Sequence, residues 1–398
     1  METKRRYDID WLRVLAFYLL ILYHTGMLFV PWEFHIKNNS TSEWFESWMV
    51  FLSNWRLPLL FIISGIGVSY SLNNRTGSQF LLERTKRLLV PLIFGMLVII
   101  PPQIYIERVS KGAYYGSYFE FWKTVFSFIP YPKGGSLSWH HLWYVLYIFV
   151  FSILMLPLFR YLRSNKSLQF RKKLSTLIRD RPIVLYLILL IPIFLVRLFL
   201  VRLYPTTHAL VGDWYNLLFT LCFFIFGYLL TLIDSVWEVI AAKRKLSLIT
   251  ALIPIIFCEL FLWGPTYSIM NEDTELFFHF YGVIKSVIIV SWLFAVLGYA
   301  RIYLNKTNKF LRYANESVYP LYILHQSVEL VIAFYIIHLD WPILPKFILV
   351  TIGTFGISIL IYEIFIRRFN FMRILFGLKP VPVSIQSSVH VAGNSSTP

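Results

Sequence analysis

Residues 7–30 read YDIDWLRVLAFYLLILYHTGMLFV, an apolar run that nevertheless carries Asp10, Arg13 and His24. A helix needs about 20 such residues to cross about 30 Å of hydrocarbon, because each residue rises about 1.5 Å. Ionisable groups inside such a run are costly and mark a working surface. Eleven positions separate Arg13 from His24. At about 100° per residue the two lie within about 20° of each other on one face, about 16 Å apart along the axis. One helix therefore presents a guanidinium near one membrane surface and an imidazole deep in the opposite half.

The same kind of run recurs along nearly the whole chain. Ten spans are expected, at Asp10–Val30, Trp48–Leu72, Leu88–Ile106, His141–Phe159, Pro182–Leu203, Trp214–Ile233, Leu246–Trp263, Phe280–Leu304, Ser317–His338 and Leu344–Ile366. They predict an all-α, polytopic integral membrane bundle over residues 1–378, followed by a disordered cytoplasmic tail at 379–398. Composition agrees: 57% of the 398 residues are hydrophobic and 15% charged, against roughly a quarter charged in soluble domains. Cys222 and Cys258 both fall inside apolar runs, so neither a disulfide framework nor a zinc spacing is expected, and no metal is assigned. Lys4, Arg5 and Arg6 precede the first run as they would in a signal peptide. No small-residue cleavage site follows, so the segment is expected to stay.

The net charge of +16 raises the question of nucleic acid. Most basic residues sit instead in alternate short loops, including Arg75, Arg84, Lys86 and Arg87, then Arg160 to Arg181, Lys243 to Lys245, and Arg301 to Arg312. That alternation is the positive-inside pattern; it excludes a nucleic-acid face and predicts both termini to be cytoplasmic. Trp32, Trp48, Trp139, Trp143, Trp214, Trp263 and Trp341 fall near the opposite ends of the spans, where an aromatic belt belongs. The long loop on that side repeats Tyr118, Phe121, Trp122, Val125, Phe126 and Ile129 at helical spacing, which predicts an amphipathic helix roofing the bundle or packing on it.

Other spans carry polar groups too. Arg56 lies about 12 Å inside the second span, close to the depth of His24 and too deep to reach water by stretching. Ser64, Gly65 and Gly67 follow it, small residues that allow helices to approach closely. In the ninth span Tyr319, Tyr322, His325 and Glu329 share one face. They form either a ladder, with His325 paired to Glu329, or the lining of a polar cavity. Arg197, Glu259, Lys285 and Glu363 are further intramembrane charges, expected to form ion pairs or line the cavity, to which the sequence assigns no partners.

Five motifs in order resemble the membrane acyltransferase-3 family. They are Arg13 with His24, the apolar run ending Ser64-Gly65, Arg84-Thr85-Lys86-Arg87, His141-Leu142-Trp143-Tyr144, and Tyr319-Pro320-Leu321-Tyr322-Ile323-Leu324-His325. Within the family, the opening and the run from Trp55 most resemble the branch of the glucan biosynthesis protein C type, which is implied to add succinyl groups to periplasmic glucans.

The resemblance implies an O-acyltransferase of the bacterial inner membrane that moves an acetyl or succinyl group from cytoplasmic acyl-CoA, a co-substrate rather than a bound cofactor, to a hydroxyl of an extracytoplasmic glycan. Arg13, Arg84, Lys86 and Arg87 are then expected to hold the CoA phosphates, and His24 to act as general base. Arg56, Tyr322 and His325 are expected to assist the chemistry, while Ser64, His141, Trp143, Tyr319 and Glu329 line the cavity. Direct transfer and an acyl-histidine intermediate both stay open, as does homo-oligomerisation. The competing class is a transporter or lipid flippase, for which intramembrane charges also serve; paired broken helices in two matching halves, its usual mark, are not found.

Overall fold

The computed structural model describes residues 5–263 and 275–382. Among them the regular structure is helical, with one isolated bridge between Pro130 and Leu137. The helices are α1 Tyr7–Met27, α2 Glu43–Leu72, α3 Gly77–Ser110, a short α4 Tyr118–Lys123, α5 Trp143–Leu154, α6 Leu156–Arg163 and α7 Leu168–Asp180. They continue as α8 Ile183–Leu200, α9 Trp214–Leu229, α10 Val236–Trp263, α11 Glu275–Tyr303, α12 Lys309–Ile336, α13 Ile343–Ile366 and α14 Asn370–Leu375.

Every expected span coincides with a helix, but fewer than ten have the length and apolarity to cross a membrane. Seven do: α2, α3, α8, α10, α11, α12 and α13. The fourth expected span is broken at Met155, where His140–Leu154 and Leu156–Arg163 meet at 55°, and counts as an eighth if the pair crosses together. At 16 residues α9 reaches only about 24 Å. The reason α1 falls outside the set is its own polar load, with Asp8, Asp10, Arg13 and His24 in 21 residues. Burial of α1 against α2 and α12 is what accommodates those groups.

Local chemistry explains the irregular places. Ser42 and Asn308 cap α2 and α12 by accepting from the amides of Phe45 and Leu311, and Thr76 with Gln79 forms a capping box on α3. Two wide π turns in α3, Thr85–Leu89 and Gly95–Ile99, come just before Pro91 and Pro101, whose rings cannot fit the regular ladder. The carbonyl of Ile99 freed by the second turn accepts from Ser327 Oγ on α12, which satisfies a polar group that lipid would not.

Glycine sets the closest crossing. A Cβ on Gly65 of α2 would overlap the Phe224 carbonyl of α9, and one on Gly227 would overlap the Ile62 carbonyl, so the backbones touch through both glycines. Gly67 has open space beside it. The largest buried cluster runs through α2, α5, α9 and α11 and includes Phe61, Tyr147, Phe151, Phe224 and Leu293. A second, at the long-loop end, joins Leu28, Phe29, Ile36 and Ile106 to Leu330 and Val350.

The expected amphipathic helix is short, α4 with a 3-10 turn over Thr124–Ser127. It packs on the end of α3 through Phe121 and Val125, both fully buried, while Phe126 and Ile129 are exposed. Packing onto the bundle is therefore its role. At the other end of the chain, Arg373 Nε donates to the Lys379 carbonyl and Val381 N to Asn370 Oδ1, so residues 379–381 are held against α14. The remainder of the expected tail, from 383, lies outside the described residues.

Candidate active site

The polar residues of α1 and α12 separate into two groups along the same helix pair. At the basic end lies a cavity of about 620 Å³ between α1, α2, α3, α5 and α12, lined in part by the segment after α14. Arg13, Arg84 and Arg87 line it, with Arg75, Arg373 and Lys379, against two carboxylates, Glu83 and Glu316. Arg13 Nη1 donates to Asn315 Oδ1 at 3.0 Å and lies 3.5 Å from Asp10. Arg84 lies over the ring of Phe80, its Nε without a partner. Arg87 is held by Glu83 and by the carbonyl of Gly377, whose φ of +70° and contact with Tyr319 both call for a residue without a side chain. Ser64 and Tyr319 complete the lining; Ser64 bonds Tyr144 Oη at 2.7 Å, and the Tyr319 hydroxyl is buried without a partner. Lys86 is the exception among the expected phosphate ligands, since it is exposed on the outer face of α3, away from the cavity.

The second group sits deeper and centres on two imidazoles. The rings of His24 on α1 and His325 on α12 are 5.2 Å apart, and that of His141 lies 5.1 Å from His325. Hydrogen bonds assign different jobs to the three. His325 Nδ1 is 2.6 Å from the Tyr322 carbonyl, which only accepts, so that nitrogen carries the proton and Nε2 keeps its lone pair. No hydrogen-bond partner meets that Nε2, nor His24 Nδ1. His141 is occupied at both nitrogens, with Nε2 donating to the Ile323 carbonyl at 3.1 Å and Nδ1 accepting from Gln103 at 3.2 Å. It holds α5, α3 and α12 together. Tyr322 likewise donates to the His141 carbonyl at 2.6 Å.

Arg56 is 3% exposed and has no ion-pair partner among the described residues. Its guanidinium lies 3.4 Å over the ring of Tyr23, the neighbour of His24, and its Nε and Nη1 are buried unpartnered. A cation–π contact of this kind recovers part of the desolvation cost and leaves the charge available to an anion. Glu329 does not pair with His325. Its carboxylate accepts from Thr25 Oγ on α1 at 3.3 Å, because the side chain faces α1. Trp143 stacks on His208 at 4.3 Å in the loop before α9 and stands away from both groups. Of the remaining charges expected within the spans, Glu363 pairs with Arg367 at 3.0 Å and Arg197 lies over the rings of Phe278 and Tyr281; Glu363 and Arg197 are both half-buried.

An aromatic layer lies between the two groups. Phe17 and Tyr144 line the cavity, and the ring of Tyr322 is 5.1 Å from Phe17 and 6.0 Å from Tyr144. Tyr322 in turn packs on His325 at 5.8 Å. Gln103, Tyr144 and Asn315 were not singled out by spacing. Tyr144 stood in a quoted motif, and Gln103 follows the Pro-Pro pair that forces the π turn; Asn315 had no signal.

The basic cavity and the imidazole pair beyond it lie within a stretch of the chain that matches the acyltransferase 3 family. Residues 6–363 match that family's acyltransferase domain, and the chain is a member of it. Among curated proteins, the glucans biosynthesis protein C of Escherichia coli strain SMS-3-5 is 25% identical over 396 residues, and that of strain K12 is 24% identical; in both cases 96% of each chain is covered. No solved structure matches the chain.

Proposed function

We propose that the protein takes an acyl group from acyl-CoA bound in the basic cavity and passes it to a hydroxyl of a glycan that enters from the long-loop end. The observation that carries this reading is the division of α1 and α12. Arg13 and Tyr319 face the basic cavity, and His24 and His325 meet one aromatic layer further on. CoA is polyanionic, and Arg84 and Arg87 offer planar forks that suit phosphate oxygens. Its narrow pantetheine arm spans the about 16 Å between Arg13 and His24 once Phe17 and Tyr144 give way. The relatives' name supports a glucan as the acceptor.

In the step itself the acceptor oxygen attacks the thioester carbonyl while His24 takes the hydroxyl proton. The C–S bond then breaks, and the proton passes to the leaving thiolate. His325, oriented by its bond to the Tyr322 carbonyl, turns Nε2 towards the same space. Arg56 supplies positive charge to the oxyanion in a water-poor site, where charge acts strongly.

Two predictions follow the donor. Arg84→Ala or Arg87→Ala weakens CoA binding about 10- to 100-fold at low salt, the worth of a charge-assisted contact, with the loss shrinking as salt rises. Lys86→Ala leaves affinity unchanged. Equal affinity in all three variants assigns the arginines to topology alone. For sidedness, labelled acyl-CoA is supplied on the basic face of enzyme reconstituted in sealed vesicles, with acceptor glycan only on the other face. Labelled glycan forms on the acceptor side. Product that forms only when donor and acceptor share the basic face rules out transfer across the bilayer.

A further inference from the structure

At the long-loop end, three segments bring His35, Glu107 and His140 together, and none of the three residues has a part in the acyl-transfer chemistry above. His35 lies in the loop after α1, Glu107 in the last turns of α3, and His140 in the turn leading into α5. One nitrogen from each histidine and one carboxylate oxygen all lie within 4.8 Å of one another. We propose that these residues form a binding site for a divalent cation of the zinc class, which clamps the long loop to the bundle.

The donor set is the argument. Two imidazoles and one carboxylate are the ligands zinc takes in three-ligand sites, which keep a fourth position for water or a substrate hydroxyl. Each ligand is also held from behind, as metal ligands are. Gln326 meets His35 Nε2 at 3.0 Å through its amide nitrogen, and its unpartnered Oε1 takes that place when the amide turns over, as it must to accept from Nε2 once Nδ1 holds a metal. Ser138 Oγ meets His140 Nδ1 at 2.6 Å, and Tyr131 Oη donates to Glu107 Oε1 at 2.8 Å. The second observation is independent of that support: His140 Nε2 is buried with no hydrogen-bond partner. His140 adopts a φ of +34°, a region costly for a residue with a side chain, and the ring it positions stacks 4.9 Å from that of His35.

His35 Nδ1 and Glu107 Oε2 are 2.6 Å apart, sharing a proton. An ion about 2.0–2.1 Å from each would replace that proton and spread the pair to about 3.3 Å in a tetrahedral site. Lys111 Nζ lies 2.7 Å from the other carboxylate oxygen, Oε1, and its charge opposes an incoming cation. The site lies one layer outward of the catalytic group: His140 adjoins His141, Gln326 adjoins His325, and Phe34 packs between the rings of His24 and His35.

Full-length protein in detergent, stripped with chelator, is titrated with zinc against a chromophoric competitor, and with cobalt to read the ligand-field spectrum. One equivalent binds the unaltered chain. Binding falls at least about 100-fold in His140→Ala and in the isosteric Glu107→Gln. Lys111→Met removes only an exposed cation and raises affinity several-fold. No stoichiometric uptake by the unaltered chain overturns the proposal, as does equal uptake by His140→Ala, or a Lys111→Met affinity that is unchanged or weaker. Metal uptake needs no donor or acceptor, so its result is independent of the acyl-transfer reading.

Discussion

His24→Ala and His325→Ala proteins reach the membrane at normal levels and lose acyl transfer by about 10²–10⁴-fold, the range for removing a general base. Both positions carry a ring nitrogen that no protein group engages, so neither substitution breaks an internal hydrogen bond through that atom. The two differ in one respect. His325 also donates to the Tyr322 carbonyl, so His325→Ala costs some stability that His24→Ala does not. His141→Ala is the contrasting variant, because both its nitrogens are engaged by Gln103 and the Ile323 carbonyl. Its main effect is a lower unfolding temperature, with a Gln103 N–H and the Ile323 carbonyl each losing a buried partner. The measurement is turnover with saturating acyl-CoA, corrected for folded protein. Near-normal turnover in His24→Ala would remove it from the chemistry and leave His325 as the base.

Gly65→Val gives the largest loss of stability. The added side chain runs into the Phe224 carbonyl, and a backbone atom cannot turn aside as the end of a side chain can. Either α2 and α9 separate or the local helix distorts; overpacking of this kind costs about 1–3 kcal/mol or more. Gly67→Ala, two residues on, meets nothing within 4 Å and leaves the unfolding temperature unchanged. Thermal unfolding of the two purified variants in the same detergent decides it. Equal midpoints would show that the crossing of α2 and α9 is not set by glycine.

The positions of the helices were legible because lipid imposes a simple condition on sequence. Each backbone polar group must be satisfied within its own helix, so a run of about 20 apolar residues has one outcome. The same rule marked Arg13, His24, Arg56 and His325 as costly, and the structure buries Arg56 and His325 and carries all four on adjoining helices. At α1 the polar residues that mark the site lower the apolarity by which a span is recognised, so that helix stands outside the seven that pass on length and apolarity. Helical periodicity correctly put Tyr319, Tyr322, His325 and Glu329 on one face, but a face is wide enough to meet several neighbours. Glu329 therefore met Thr25, although a local pair with His325 was one reading of the spacing.

By itself the sequence determined the helical membrane class, the positions of the helices, and which residues are too costly to be there without a purpose. Only the tertiary structure decided which of them share a space. It excluded Lys86 from the cavity, made His141 a brace, and assembled His35, Glu107 and His140 from three separate segments. The physical reason is range. Burial of apolar surface and backbone satisfaction act within one helix and leave a periodic trace in its residues. Hydrogen bonds and ion pairs between helices depend on crossing angle, rotation and depth, which the contact of Gly65 with Gly227's helix and the π turns of α3 set, and these leave no period to read.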